Sequence, residues 1–332
     1  MRRGRSGGLD GVLVVAKPSG PTSHDVVGLV RRLSSTRRVG HGGTLDPFAA
    51  GVLPVFLGRA TRLVEYHLGA SKRYRATICF GERSTTDDID GQRTPVEGPP
   101  VTREVVEPAL AGLVGPISQV PPNYSAVQIQ GRRAYQLARS GEIVVLAARD
   151  VTIHSLDLVE WDDRDPARPV AIVDVTCSAG TYIRALARDL GEQLGSGAYL
   201  GALVRTASGG FRLEDAISLD DLRAAAADGP AGVARVLRPI DAGLEHLPHA
   251  EVTDDEIRRL GEGLITAPKR ALADRDAPIV LAVGPDGRVA AVCRSVAGAL
   301  YPHKVLVERP ETYGEAGPGS AATGLEPVTE GA

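Results

Sequence analysis

One carboxylate is a candidate reactive group because of the residues around it. Asp46 is the single acidic residue within residues 40–54, a stretch that also holds four glycines and two prolines. Glycines let the backbone turn tightly and leave few side chains to obstruct an approaching substrate. Pro47 disfavours helical dihedral angles at Asp46 and favours an extended backbone there. The pattern predicts a stiff loop that presents Asp46, and a carboxylate presented in this way can act as a nucleophile.

Two other side chains stand out by their positions in predicted elements. Residues 72–80 alternate with period two, which places Tyr74 on the apolar face of a predicted strand. Arg184 lies near the start of a predicted helix, off the apolar stripe of that helix. A cation near a helix N-terminus is electrostatically unfavourable, which indicates a specific partner. A guanidinium beside a carboxylate favours its charged form and orients it through paired hydrogen bonds.

The elements that must position these residues are predicted from local patterns. Residues 13–16 form a short apolar run before a Pro/Gly turn, which predicts a buried strand. A helix capped by Thr22 or Ser23 should follow, because apolar residues then repeat at a spacing of three and four. Buried strands are predicted at 51–57 and 170–177.

An acidic loop at residues 84–91 resembles a metal site only superficially. It lacks the alternating oxygen ligands and the distal glutamate of a calcium loop, so we predict turn structure and no metal there. The three cysteines lie far apart in apolar surroundings, with neither disulfide nor metal-ligand spacing. The sequence therefore predicts no metal site.

Charge is distributed unevenly along the chain. Residues 1–75 contain 13 Lys/Arg and 4 Asp/Glu, whereas the whole chain of 332 residues has a formal net charge of −3. Arginines close to the Asp46 stretch could bind phosphates around a reacting nucleotide or form an ordinary solvated helix end. These arginines are Arg31, Arg32, Arg37 and Arg38. No apolar run reaches the length of a membrane span or of a signal-peptide core, so we predict a cytoplasmic protein without a membrane association.

Several segments, taken together, resemble one enzyme family. The family's His-x-Gly-x-Leu-Asp-Pro motif is matched by His41, Gly43, Leu45, Asp46 and Pro47. The other matching segments are Lys17-Pro18-Ser19-Gly20, Lys72-Arg73-Tyr74, residues 121–126 with Gly131 and Tyr135, residues 177–184, and Leu203-Val204-Arg205. With these segments in this order along the chain, the sequence is similar to the pseudouridine synthases, most closely to the branch that makes pseudouridine-55 in the T-arm of transfer RNA.

The resemblance implies an isomerase that converts uridine-55 of tRNA to pseudouridine without a cofactor. It also implies that Asp46 is the nucleophile, that Arg184 pairs with its carboxylate, and that Tyr74 stacks on the target base and is the candidate for an acid/base role. Attack by Asp46 on uracil C6 and attack on ribose C1′ both stay open. The target base must be flipped out of its stack to reach the pocket.

A set of substrate-binding residues follows from the same resemblance. Leu203 would form a wall of the uracil pocket, and His41 would hold the flipped conformation of the RNA. Lys17 would contact either a phosphate or the Asp46 loop, or act as a structural lysine at the edge of the sheet. The remaining members of the set are Gly43, Leu45 and Tyr182.

The implied fold is α+β, with a mixed, mainly antiparallel central sheet flanked by helices and a small C-terminal β domain. We predict a basic flexible N-terminus at residues 1–10, a catalytic domain at 11–245, and a PUA-like RNA-binding domain at 246–310. A capping box at Thr253 and a hairpin around residues 285–287 support the small domain. Residues 311–332 are rich in Gly, Ala, Pro and Glu and are expected to be disordered.

Three alternatives assign other activities to the same chain. A non-catalytic tRNA-binding or RNA-folding protein would keep the basic N-terminal quarter but would not need Asp46 and Arg184 together. A guide-RNA-dependent synthase would share the motifs, yet this chain has no long Lys-rich tail. A phosphotransferase with an aspartyl nucleophile is disfavoured because no second carboxylate with metal spacing accompanies Asp46. The leading prediction is a stand-alone, monomeric enzyme that acts on the T-arm of tRNA with no obligate protein partner.

Overall fold

A computed structural model describes residues 8–124, 128–129, 132–133 and 146–307. The chain divides into two units, Met1–Leu247 and Pro248–Ala332. The first unit is built on a ten-stranded sheet and the second on a four-stranded sheet. Most of the predicted flexible N-terminus, the predicted disordered tail and the family segment around Tyr135 lie outside the described residues.

The first unit alternates strands with short helices. Its strands are β1 (Gly11–Lys17), β2 (Val39–His41), β3 (Ala50–Leu57), β4 (Lys72–Phe80), β5 (Glu82–Ser84), β6 (Arg93–Pro95), β7 (Gly115–Gln119), β8 (Gln128–Ile129), β9 (Arg132–Arg133), β10 (Arg149–Asp162), β11 (Val170–Cys177), β12 (Ala198–Ser208), β13 (Phe211–Arg212) and β14 (Ile217–Ser218). Its α-helices are α1 (Ser23–Leu33), α2 (Val64–Leu68), α3 (Arg103–Gly112), α4 (Ile183–Gln193), α5 (Leu219–Ala225) and α6 (Pro230–Ala234).

The main sheet has the strand order β14-β1-β3-β12-β4-β11-β10-β7, with β2 beside β3 and β13 beside β12. Among the described strands of this sheet, the pairs β1/β14 and β3/β12 are parallel and the other pairs are antiparallel. The expected mixed, mainly antiparallel sheet flanked by helices is confirmed. Because β12 lies between β3 and β4, a late strand of the chain forms the centre of the sheet.

Local sequence accounts for the first strand and the first helix of the fold. The residues of β1 are buried almost without interruption, as its continuous apolar run requires. Thr22 caps α1 as predicted, and it forms a capping box with Asp25. One face of α1 packs into the core through Val26 and Val30, the predicted spacing of a buried helical face.

The largest core lies between the sheet and helices α3 and α4. Its members include Ala76 and Ile78 of β4, Val175 of β11, and Leu186 and Leu190 of α4. Tyr74 packs against the edge of this core as a half-buried side chain. The face of β4 that carries Tyr74 is therefore the face that α3 and α4 cover.

The second unit is small and mainly β. Its elements are β15 (His249–Glu251), α7 (Asp254–Gly261), β16 (Val280–Val283), β17 (Val289–Val296) and β18 (Ala299–Val305). The capping box of Thr253 with Glu256 and the β16/β17 hairpin are both present. The PUA-like character of the unit stays a prediction. No helix in the described part of either unit is long and apolar enough to cross a membrane.

His67 of α2 is buried between two aromatic rings. Its ring centroid lies 4.8 Å from that of Phe56 and 5.5 Å from that of Phe211. Burial lowers the pKa of His67 from 6.5 to about 4; His246 adds to this lowering, and Glu245 opposes it. Between these pH values the folded state binds fewer protons than the unfolded state, so acid destabilises the fold through this group.

We expect this group to lower the free energy of unfolding by about 3 kcal/mol as the pH falls from 6.5 to 4, because one pKa unit corresponds to about 1.4 kcal/mol. His67→Phe keeps an apolar ring and should remove this component. Urea unfolding at several pH values, followed through the fluorescence of the one tryptophan, measures it. His154→Gln, at an exposed position of β10, should retain the wild-type slope. If the free energy of unfolding changed with pH equally in wild type and His67→Phe, the expectation would be contradicted.

Candidate active site

The loop that carries Asp46 connects β2 to β3 and is fixed by the first helix of the chain. The hydroxyl of Ser23 donates to the carbonyl of Leu45 at 3.0 Å and accepts from the amide of the same residue at 2.8 Å. The amide of Gly20 donates to the carbonyl of Pro47 at 2.8 Å. The backbone on both sides of Asp46 is therefore tied to the β1–α1 segment, as a stiff loop requires.

Two buried cations hold the same loop from within the protein. The ammonium of Lys17 donates to the carbonyls of Ala49 at 2.6 Å and Pro47 at 3.3 Å. The guanidinium of Arg205, in β12, donates through Nη2 to the carbonyl of Gly43 at 3.0 Å and through Nη1 to that of Thr44 at 3.3 Å. The loop is thus anchored on residues that lie far from it in the sequence.

Glycines allow the close backbone approach that this anchoring needs. Gly51 has a φ of +112°, and a Cβ there would lie 2.2 Å from the carbonyl oxygen of Arg205. Gly43 has a φ of +120°, a backbone conformation that L-residues with a side chain rarely adopt. Substitution at either glycine would strain the loop or push β3 away from β12.

Asp46 is paired with Arg184, as the resemblance implied. Nε of Arg184 lies 3.0 Å from Oδ2 of Asp46, and the two side chains are 5% and 35% exposed. Nη1 of Arg184 lies 3.2 Å from Oδ2 of Asp88 and 3.3 Å from the carbonyl oxygen of Thr86, and Nη2 donates to the carbonyl of Tyr124 at 3.0 Å. One buried guanidinium therefore connects the Asp46 carboxylate to a second carboxylate and to two backbone segments.

The acidic loop at residues 84–91 has a role that its turn prediction did not include. Asp88 is buried against Arg184, and the neighbouring Asp87 pairs with Arg188 of α4 at 2.9 Å. Asp87 has a φ of +60°, the left-handed conformation that aspartate tolerates in turns. The loop is a turn, and it also binds two arginines one helical turn apart.

A cleft of about 300 Å³ opens beside Asp46. Its lining contains most of the residues that the sequence singled out: Gly43, Leu45, Asp46, Tyr74, Tyr182, Arg184 and Leu203. Lys72, Arg205, Thr181 and Ser178 also line it. Within the described residues, no group of three or more His, Cys, Asp or Glu side chains is arranged to hold a metal ion.

Two residues of the predicted substrate-binding set do not line the cleft. His41 ends β2 as a half-buried residue, in register with Val55 of β3. Lys17 is 1% exposed and lies beneath the loop, where burial lowers its pKa to about 8 although the charge of Asp46 opposes the shift. Of the roles open to Lys17, the loop contact describes its position, because a buried ammonium that donates to backbone carbonyls is not placed to bind a phosphate.

Tyr74 lines the cleft next to the buried guanidinium of Arg205. The two residues are directly opposite each other in the pairing of β4 with β12. Burial raises the pKa of the Tyr74 phenol, against an opposing effect of Arg205. The phenol is therefore protonated near neutral pH, so it can stack on a ring or donate a proton but is a poor base.

Three residues of the site were not singled out by their sequence. Asp88 was assigned to turn structure, and Arg205 and Lys72 were noted only as members of matched segments. The available indication was charge among apolar residues: Lys72 lies two residues before Tyr74 on the apolar face of the strand predicted at 72–80, and Arg205 follows Leu203 and Val204 in a matched segment. A charged residue on a buried strand face indicates either a partner or a function.

Comparison with known proteins places this chain in one family. A family model described as "TruB family pseudouridylate synthase (N terminal domain)" matches residues 31–183, and one described as "tRNA pseudouridylate synthase B C-terminal domain" matches residues 184–245. The chain is 45% identical over 312 residues to the tRNA pseudouridine synthase B of Arthrobacter sp. (strain FB24), covering 91% of this chain and 97% of the relative. It is also 45% identical to the protein of that name from Moorella thermoacetica, covering 89% and 99%.

Solved structures give a more distant likeness over the same length. The chain superposes on a structure titled "Crystal Structure of a Cbf5-Nop10-Gar1 Complex" with a TM-score of 0.69 and 27% identity, covering 90% of this chain and 85% of that one. For the "archaeal box H/ACA sRNP Nop10-Cbf5 complex" the TM-score is 0.69 and the identity 25%, covering 93% and 90%.

Proposed function

Because the chain belongs to the TruB family and is a tRNA pseudouridine synthase, we propose that it isomerises uridine-55 in the T-arm of tRNA, with Asp46 as nucleophile and without a cofactor. The observation that carries this proposal is the 3.0 Å ion pair between Asp46 and Arg184 at a cleft that Tyr74 and Leu203 also line. A non-catalytic RNA-binding protein has no need of a fixed, partly exposed carboxylate there.

The reaction needs little beyond a well-placed carboxylate. Pseudouridine forms when the bond from N1 to C1′ breaks, the base turns, and a bond from C5 to C1′ forms, with the C5 proton released to water and a proton taken up at N1. Nothing is oxidised or reduced. A carboxylate that adds to C1′ or to C6 divides this change into easier steps. Arg184 orients the Asp46 carboxylate, and the exposed part of Asp46 is available to the substrate.

Uridine must leave the RNA stack to reach Asp46. The volume of the cleft suits one flipped base rather than a helix, and flipping costs a few kcal/mol. In our proposal Tyr74 stacks on the base, Leu203 supports it, and Gly43, Leu45 and Tyr182 complete the pocket. His41 contacts the RNA from outside the pocket and holds the flipped conformation.

The proposal separates this chain from the guide-RNA-dependent synthases. Its 45% identity to a protein named tRNA pseudouridine synthase B exceeds its 27% identity to the chain from a Cbf5-Nop10-Gar1 complex. The arginines of the basic N-terminal quarter bind phosphates of the T-arm, and no partner protein is required. Binding should accordingly weaken as the salt concentration rises.

One assay of tritium release tests three parts of the proposal: the position that is modified, the absence of a cofactor and the independence from a guide RNA. A T-arm transcript that carries 5-tritiated uridine should release one equivalent of tritium per strand in buffer with EDTA and no guide RNA. A matched transcript with cytidine at position 55 should release none. Tight binding without release from the first transcript would favour the non-catalytic alternative, and release only after addition of a guide RNA would favour the guide-dependent one.

A further inference from the structure

Two buried cations flank Tyr74 on the wall of the cleft. Lys72 is 7% exposed and its ammonium donates to the carbonyls of Leu68 at 2.7 Å and Ala70 at 2.6 Å. Arg205 is 1% exposed and donates to backbone carbonyls of the Asp46 loop and to that of Val52 at 2.8 Å. In the described part of the chain, neither cation has a carboxylate within salt-bridge distance.

Both charges are costly to the folded state. Burial lowers the pKa of Lys72, and the nearby charge of Arg205 lowers it further. Arg75 shows the contrast, because it projects from the opposite face of β4, is exposed, and pairs with Asp174 at 2.7 Å. A cation that is buried without a carboxylate destabilises a protein, so its presence beside the reacting base indicates a functional use.

The reaction moves a negative charge towards these cations. If Asp46 attacks C1′, the electron pair of the N1–C1′ bond passes to N1 and spreads over O2 and O4 of the uracil. If Asp46 attacks C6, the pair of the C5–C6 double bond passes through C4 to O4. On either route Asp46 loses its charge as it forms an ester or adduct bond, and the ring gains that charge.

The arrangement of carboxylates suits such a transfer. When the charge leaves Asp46, Arg184 remains paired with Asp88 at 3.2 Å. Lys72, Tyr74 and Arg205 all line the cleft, so a ring stacked on Tyr74 as proposed above would lie beside both cations. Fixed charges that face developing charge in a water-excluded site stabilise it without reorganisation.

We propose that Lys72 and Arg205 stabilise the negative charge that develops on the uracil ring when Asp46 attacks, in addition to the part that Arg205 plays in holding the Asp46 loop. This inference rests on the proposed function, because it takes Asp46 as the nucleophile and Tyr74 as the platform for the base. When C5 then bonds to C1′, the bond from Asp46 to C1′ or to C6 breaks and its electron pair returns to the carboxylate, while the C5 proton passes to water and N1 takes up a proton from water.

Variants of Lys72 test the inference. Lys72→Met removes the charge and the hydrogen bonds, whereas Lys72→Gln removes the charge but keeps an amide that can donate to a carbonyl. Both should lower the single-turnover rate of tritium release at saturating enzyme by about 10- to 100-fold. The dissociation constant for the T-arm transcript should stay within about twofold, and Lys72→Arg should recover most of the rate. Arg75→Met, which removes a charge from the other face of the same strand, is the control.

The outcomes separate this inference from the proposed function. An inactive wild type, or an active Asp46→Asn variant, would contradict the proposed function. With an active wild type, a rate within twofold for Lys72→Gln, a loss in binding alone, or no recovery in Lys72→Arg would overturn the inference. If Lys72→Met fails to fold, judged by its melting temperature, variants of Arg205 provide the second test. Arg205→Lys keeps the charge and should retain more activity than Arg205→Gln, which removes it.

Discussion

Replacing Asp46 with asparagine is expected to abolish pseudouridine formation while folding and RNA binding stay intact. An amide oxygen is a far weaker nucleophile than a carboxylate, and removal of a nucleophile costs at least about 10⁴-fold in rate. Asparagine has nearly the same volume, and Arg184 keeps Asp88 and the carbonyls of Thr86 and Tyr124 as partners. Single-turnover tritium release and filter binding of the same transcript measure the two quantities.

The control for this variant is Asp157→Asn, an identical chemical change at an exposed position of β10. It should retain the wild-type rate and affinity. Residual release by Asp46→Asn within about 100-fold of wild type would rule out Asp46 as the nucleophile, provided that mass analysis shows no deamidation back to aspartate. A loss that appeared only in affinity would instead give Asp46 a binding role.

Arg184→Lys is expected to slow the reaction by about 10²- to 10³-fold and to destabilise the first unit by about 2–4 kcal/mol. Arginine contacts Asp46, Asp88 and two backbone carbonyls through three nitrogens, and a single ammonium cannot reach all of them. The buried Asp88 would then lose part of its compensation, and Asp46 would lose its orientation. Single-turnover rates and urea unfolding followed by tryptophan fluorescence measure the two effects.

Arg188→Lys provides the matched control, since Arg188 lies one helical turn away and ties the same acidic loop through Asp87. It should also cost stability, because Arg188 pairs with Asp189 and donates to the carbonyl of Val120. Its rate should fall by no more than about fivefold, because it does not contact Asp46. Equal rate losses in the two variants would mean that Arg184 acts only by holding the loop, which would contradict its direct action on Asp46.

The parts of the fold that depend on neighbouring residues could be predicted from the sequence. Thr22 and Thr253 form capping boxes with the residues three positions later, and each begins a helix as expected. Ser218 also caps a helix, because its hydroxyl accepts from the amide of Asp221. Pro230 occupies the first position of α6, where its fixed φ suits a helix start.

The contacts that complete the site could not be predicted in this way. Asp88 finds its partner Arg184 only after the chain has folded, so the acidic loop looked like an ordinary turn. Lys17 is near its loop in space but 32 residues from Ala49 in the sequence. The motif around Asp46 carries the chemistry in the sequence, whereas the charges that tune it become visible only in three dimensions.

The position of β12 between β3 and β4 has a consequence for how the protein is made. Strand β4 pairs with β12 along nearly its whole length, so that edge has no partner until residues 198–208 leave the ribosome. An unpaired edge of a central strand can pair with other chains, and contacts between distant residues slow folding. Nascent chains that stop before β12 should therefore depend on chaperones. Since Arg205 arrives with β12, the site is completed only at this late step of synthesis.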